Sequence, residues 1–369
     1  MASLESELQE PLTRFASALI DQQRARVIVP PTQPAGGFWF GGGNLVEDAD
    51  GVLYVVGRYR DAGDSRTGVA AGKRGWELAI FASEDRGQSF EKLQRFGKSD
   101  LGVDGHEVLS IEGSALRWSG TGVELFVSTE KAGIGYPSGF EEYLKPGTGV
   151  WSIERMAAST IAGLADAVPT TVVASDDPRF VHVKDPFVYE TAGRDTAILF
   201  CTHPYCWTSS NTGYAIRRAG SDEFEPPVFD FFPRGVTWDV AMTRGTCVLD
   251  VPQVGAFRDR RASLLFYDGG ECVRNLDEHT AAVARPRGYS CEELGGAAYI
   301  TEGDFSTVER LSVCHPLFVS PHGSRCSRYV DVLKTRDGFY AAWQQSQPDG
   351  SQPLVLNVLS HDEARGLLA

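Results

Sequence analysis

Two acidic residues stand at the start of apolar, strand-forming runs: Glu112 in SIEGSAL and Asp185 in VKDPFVY. A pair of carboxylates can cleave a glycosidic bond: one protonates the leaving oxygen, and the other stabilises the developing positive charge or activates water. In this pair Glu112 is the expected general acid and Asp185 the expected base or stabiliser. Asp239 in VTWDVAM and Asp331 in SRYVDVL are further candidates, with Asp250 and Asp268 behind them. The plainer fate of such acids is to cap backbone N–H groups at strand ends.

Other residue types could bind what the acids cut. Trp39, Tyr136, Tyr205, Trp207 and Trp238 could stack on sugar faces, although isolated aromatic residues more often fill a core. Tyr205 and Trp207 lie in the polar loop THPYCWTSSN, which suits a pocket rim. His203 in the same loop is the best histidine for substrate contact or proton transfer, ahead of His182 and His315. Asn44, in GGGN, opens another strand. Arg58, Arg66, Arg244 and Arg328 carry the planar fork suited to carboxylates. Taken singly each arginine is more simply a salt-bridge partner; converging, they would select a uronic or sialic acid.

These residues are scattered in sequence, so the fold must gather them. The chain repeats a pattern of strand, turn, strand, loop and further strand five times. The units begin at GGGNLVEDADGVLYVVGRYR, IEGSALRWSGTGVELFVSTEK, VKDPFVYETAGRDTAILFCTH, RGTCVLDVPQVGAFRDRRASLLFYDG and SRYVDVLKTRDGFYAAWQQS, recurring at roughly 65–80 residues. That spacing suits four-stranded antiparallel blades with long loops, and Asp-Gly and Gly-rich turns support hairpins throughout. The expected fold is all-β, a five-bladed β-propeller with a short N-terminal helical segment. Residues 1–34 would supply the helix and a ring-closing strand in RARVIVPPT, and residues 35–369 the propeller as one catalytic domain. Leu4, Leu8, Leu12, Phe15 and Leu19 recur near helical spacing. In a propeller the innermost strands line a central funnel. Glu112 and Asp185 each lie 12 residues before a matching position on the second strand, Glu124 and Ala197, which makes them equivalent.

The strand starts KDPFVY and IEGSAL, with the fivefold repeat, resemble the five-bladed propeller glycosidases, a superfamily of arabinanases, xylosidases, invertases and levansucrases. The resemblance implies a glycoside hydrolase with two Asp and one Glu on its innermost strands, acting on a terminal sugar of an oligosaccharide. This chain departs from that pattern at Asn44, where an Asp is common, and in its order of Glu before Asp. SEDRGQSF (Ser83, Asp85, Gly87, Phe90) resembles the Asp-box turn of sialidases, which implies a capped turn and no catalytic role for Asp85. Sialidases clamp carboxylates with arginines but normally have six blades. Three alternatives stay open: a propeller polysaccharide lyase using His203, Tyr205 and Arg58, a sialidase-like enzyme on a uronic or sialic acid glycan, and a glycan-binding propeller without activity.

The bulk numbers exclude other classes. There are 35 basic and 49 acidic residues, a net charge of −14, so nucleic acid and anionic membranes are unsuitable partners. No run of about 18 apolar residues suggests a membrane span. The N-terminus lacks a signal-peptide pattern, so a cytoplasmic location is expected. The seven cysteines form no close pair of zinc-ribbon type and are expected to be reduced and mostly buried. No spacing demands a catalytic metal or organic cofactor, which leaves room only for a structural ion in the central channel. The sequence carries no phosphate-binding loop, dinucleotide fingerprint or nucleophile elbow, and no signal for oligomeric state.

Overall fold

A computed structural model describes residues 6–62, 73–271, 293–301 and 304–369. Arg66, Cys272 and Cys291 lie outside the described residues. Five antiparallel sheets follow one another along the chain. Blade one has its inner strand in two pieces, β2 (Trp39–Gly41) and β3 (Leu45–Glu47), then β4 (Leu53–Asp61), β5 (Lys73–Ser83) and β6 (Glu91–Gly97). Blade two is β7 (Val108–Ser119), β8 (Gly122–Lys131), β9 (Val150–Ala158) and β10 (Thr170–Val173). Blade three is β11 (His182–Glu190), β12 (Thr196–His203), β13 (Asn211–Arg217) and β14 (Val228–Phe232). Blade four is β15 (Met242–Asp250), β16 (Ala262–Gly270), β17 (Leu294–Thr301) and β18 (Asp304–Arg310). Blade five is β19 (Ser327–Lys334), β20 (Phe339–Gln345) and β21 (Leu354–Leu359), completed by β1 (Arg26–Val29). β1 pairs antiparallel with β21, Arg26 opposite Leu356. The molecule is therefore a five-bladed β-propeller.

Second strands such as TAILFCTH (β12) and ASLLFYDGG (β16) are buried at every position. Each blade packs on both faces against its neighbours, so these strands read as continuous apolar runs instead of alternating ones. Helix α1 (Ser6–Leu19) lays Leu8, Leu12, Phe15 and Leu19 into a core shared with blades four and five. Phe15 meets the Phe339 ring edge-on, 5.4 Å between centroids. A second helix, α2 (His361–Leu368), ends the chain where the repeat pattern suggests only strands. Its start is a capping box: Ser360 Oγ accepts from Glu363 N, and Glu363 accepts from Ser360 N. Cys201, Cys247 and Cys326 are buried, while Cys206 and Cys314 are exposed. Among the described residues no helix is long and apolar enough to cross a membrane.

The β5–β6 turn is tied by the SEDRGQSF side chains. Ser83 Oγ donates to Asp85 Oδ1 and accepts from Gly87 N, both at 2.8 Å. Asp85 also accepts from Ser89 N at 2.9 Å.

One irregularity recurs and positions the site. The innermost strands of blades two to five each carry a β-bulge against their second strand. The shifts fall at Ile111/Ser114, Lys184/Phe187, Gly245/Cys247 and Arg328/Asp331. In blade one the inner strand breaks between β2 and β3, at Gly42-Gly43-Asn44. A bulge inserts an unpaired residue and re-aims its side chain.

Candidate active site

The bulge residues of blades two, three and five are Glu112, Asp185 and Tyr329. Asp185 (φ 55°) and Tyr329 (φ 53°) hold the left-handed backbone conformation that side-chain-bearing residues avoid. For Asp185 the strain is greater because Pro186 follows it and favours extended backbone at the preceding residue. Surrounding contacts over-determine the conformation: Asp185 N donates to Ser128 Oγ at 3.1 Å, and Asp185 Oδ1 accepts from Gly113 N at 2.8 Å. The bulges surround an axial cavity of about 10 Å³, room for roughly one water; Asp185, Gly113, Asn44, Thr246 and Tyr329 line it.

Every acid at this centre has a basic partner. Arg58 Nε and Nη2 donate to Glu112 Oε2 at 2.9 and 2.7 Å, and Arg58 Nη2 reaches the Tyr329 hydroxyl at 3.3 Å. Burial opposes ionisation of Glu112, yet Arg58 and then Lys184 hold its pKa below the usual value. Burial also disfavours charge on Asp185, but Lys184, Arg244 and Arg58 bring it down to about 2. Lys184 Nζ lies 3.7 Å from Asp185 Oδ2, and Arg244 Nη1 donates to the same oxygen at 3.2 Å. Glu112 therefore stands as an ionised partner of Arg58, and it can donate a proton only once that pair is separated.

Arg244 forks onto Asp268, with Nε at 3.1 Å and Nη2 at 2.7 Å from Oδ2. Asp268 also accepts from Tyr329 N at 3.1 and 3.0 Å, and burial pushes its pKa up to about 6. Glu293, just before β17, bridges Arg244 and Arg328 through one oxygen, at 2.6 and 2.7 Å. The Tyr329 ring lies beneath the Arg244 guanidinium at 3.9 Å, with Arg58 at 5.2 Å and Arg328 at 5.5 Å. Arg58, Arg244 and Arg328 thus converge.

The remaining wall belongs to blades two and three. Lys184 lies 5.5 Å from the rings of both Trp151 and Trp207. His203 packs against Trp207 in a tilted pair at 4.5 Å and contacts Ser209 O through Nδ1 at 3.0 Å. Burial, reinforced by Lys184, holds His203 neutral, well below the usual histidine range. His182 stacks on Trp207 at 4.1 Å and bonds the Tyr136 hydroxyl at 2.8 Å, so Tyr136 supports the wall from behind.

Several sequence expectations are corrected. Asp239 does not reach the axis: Arg310 of the outermost strand β18 donates to it at 2.6 Å, and Tyr267 bonds it at 3.4 Å. Trp238 stacks on Tyr267 at 5.5 Å inside the core between blades three and four. Asp331 lies past the bulge and accepts from Leu45 N at 2.7 Å; burial pushes its pKa up to about 7. Tyr205 packs on Phe140 and Tyr143, at 4.6 and 4.8 Å, apart from Arg58. Trp39 offers no open stacking face because Arg60 and Arg328 lie over its ring at 5.0 and 4.9 Å. Asn44 clips blade one to blade two, exchanging bonds with Leu116 N and O at 2.8 and 2.9 Å. Asp250 accepts from Tyr189 and Ser263, and His315 sits in an exposed turn. The matching of Glu112 and Asp185 through Glu124 and Ala197 is also off: Glu124 pairs with Arg117 and Ala197 with Tyr189. It is the bulges that make the two acids equivalent. Sequence reading missed Lys184, Glu293, Tyr329 and Gly113. Among the described residues no group of three or more His, Cys, Asp or Glu could hold a metal ion.

Fold and site together define the class, a five-bladed β-propeller with a buried, charge-balanced axial centre. Solved structures of the same fold include the alpha-L-arabinofuranosidase from Lactobacillus brevis (TM-score 0.56, 11% identity, 90% of this chain and 91% of that one). The GH43_1 enzyme from Xanthomonas citri complexed with xylotriose matches at TM-score 0.52 and 10% identity, over 97% and 94%. The Penicillium chrysogenum alpha-L-arabinanase complexed with arabinobiose matches at 0.51 and 10%, over 92% and 98%. At these identities the likeness is one of fold. No family model and no curated protein sequence matches this chain.

Proposed function

We propose that this protein is a glycoside hydrolase acting on the terminal sugar of an oligosaccharide, with Glu112 and Asp185 as its working carboxylates. One observation carries the reading: two acids occupy equivalent bulges of adjacent innermost strands and meet at the axis. The kinship of fold with an arabinofuranosidase and an arabinanase supports it. An exo mode fits the enclosure, since the Glu112 and Asp185 side chains are only 12% and 2% exposed. Asp185, held ionised, suits the base or stabiliser. Glu112 becomes a proton donor when substrate draws Arg58 away, because burial, which raises its pKa, is then opposed only by the weaker pull of Lys184 and Arg60.

A second reading is favoured by a specific observation: each central acid is already paired with Arg or Lys, which suits a glycan-binding propeller without turnover. Digestion of a glycan panel read by mass spectrometry decides between them. Hydrolysis adds the mass of water, and Glu112→Gln and Asp185→Asn should each remove nearly all of it while retaining the fold. An unsaturated product would replace hydrolysis with elimination. Binding without any product would leave only the second reading.

A further inference from the structure

Glu293 is the most accessible acid of the central cluster. Its side chain is 23% exposed, against 12% for Glu112, 2% for Asp185 and 0% for Asp268. It belongs to no innermost strand and reaches the centre from the start of the third strand of blade four. Its Oε2 takes the two shortest contacts, from Arg244 Nη2 and Arg328 Nη1, while Oε1 lies 3.5 Å from Arg244 Nη1. One carboxylate between two guanidiniums is the arrangement an incoming ligand carboxylate would adopt.

The two arginines differ in what they keep if Glu293 leaves. Arg244 retains Asp268 and Asp185. Arg328 keeps no acidic partner among the described residues: it retains Gln352 Oε1 at 3.1 Å and the rings of Trp39 and Tyr329 at 4.9 and 5.5 Å, with Arg244 as a cationic neighbour. Its guanidinium stays fixed on aromatic faces yet loses its acidic partner. Such a buried, preorganised cation has a strong demand for an anion. The demand is met beside the proposed chemistry, because Arg244 also touches Asp185 at 3.2 Å.

We infer that Arg244 and Arg328 form a clamp for a sugar carboxylate, and that Glu293 occupies the clamp in the ligand-free protein. The substrate class is then an acidic sugar, a hexuronate or a 2-keto acid sugar. Glu293 acts as an internal competitor that keeps the clamp neutral until an acidic sugar displaces it. The inference rests on the glycan-recognising reading above and is independent of hydrolysis.

Calorimetry and thermal unfolding of the full chain test it, using galacturonate, N-acetylneuraminate and galactose as probes. Glu293→Gln removes the competing charge and keeps the side-chain shape. Its Tm should fall in buffer and recover on adding an acidic sugar, by linkage of binding to folding. Its Kd for the preferred acidic sugar should be at least about tenfold tighter than that of the unaltered protein, with no matching gain for galactose. Arg328→Lys, which loses the fork, should lose the preference for acidic over neutral sugar. A preference for galacturonate assigns the hexuronate source, and one for N-acetylneuraminate the 2-keto acid source. Binding of neither acid, or an equal gain for galactose in Glu293→Gln, overturns the inference. If Glu293→Gln does not fold, an unchanged acid preference in Arg328→Lys overturns it. Charge-blind binding with intact turnover would remove the clamp and spare the hydrolase. Acid-selective binding without turnover would do the reverse.

Discussion

Gly113 and Asp185 touch across the junction of blades two and three. Gly113 N donates to Asp185 Oδ1 at 2.8 Å, and a Cβ on Gly113 would stand 2.6 Å from Asp185 Cα. No side chain fits there without moving the acid. Gly113→Ala should therefore shift Asp185 and lower kcat/KM about 100-fold, the usual cost of a misplacement of about 1 Å. Kinetics on the best substrate of the glycan panel, beside an unchanged circular dichroism spectrum, checks this. Unaltered kinetics would show that the contact does not position Asp185.

The Arg58–Glu112 pair is buried on both sides, so breaking it from one side strands a charge. Arg58→Met should destabilise the fold by about 3–5 kcal/mol in urea unfolding. Adding Glu112→Gln should recover part of that loss, because the stranded carboxylate is gone. A double variant no better than the single one would mean that Glu112 is not the group that needs Arg58.

Asp239 separates structure from function. It holds Arg310 of β18 at 2.6 Å and lies off the axis. Asp239→Asn should cost about 1–3 kcal/mol of stability and retain turnover. Loss of turnover at full stability would return Asp239 to the site.

Asp331 and Asp268 should each give up stability as pH rises from about 4 to 7, while His182 and His203, held neutral by burial, act the other way over much of that range. A carboxyl whose pKa is higher folded than unfolded binds more protons when folded, so deprotonation costs stability across that interval. Asp331 (3.8 to about 7) and Asp268 (3.8 to about 6) both act in this sense. Asp185, lowered to about 2, acts oppositely, its contribution being lost as pH falls from about 4 to 2. Asp331→Asn should remove about 1–2 kcal/mol of pH-dependent loss between pH 4 and 7, discounted for the partial exposure of the side chain. Chemical denaturation at several pH values measures it, and equal slopes in both proteins would refute it.

The fivefold repeat was legible because each blade states its strands and turns locally. Helix α1 was legible because Leu8, Leu12, Phe15 and Leu19 keep helical spacing. The site was only half legible, because bulges carry no spacing signal of their own. Strand starts point to Glu112 and Asp185, but in blade five they point to Asp331. Aligned on the bulge, Arg328-Tyr329 falls on Lys184-Asp185, and the blade-five member is Tyr329. Glu293 was invisible for another reason: it enters from a third strand, outside the innermost set. Trp39 looked like an open platform because no sequence pattern shows which arginines will cover it.

β1 completes the sheet of blade five from the other end of the sequence. Asn357 likewise bonds the carbonyls of Ala18 and Leu19, across 339 and 338 residues. A contact this distant in sequence carries a large loop-closure entropy, and folds rich in such contacts form slowly. Blades one to four can assemble from neighbouring sequence, but blade five waits for the two ends to meet. The axial centre draws Arg58 from blade one and Arg328 from blade five, so the two arginines converge on the Tyr329 ring only after that meeting. The same event that locks the circle therefore completes the axial cluster.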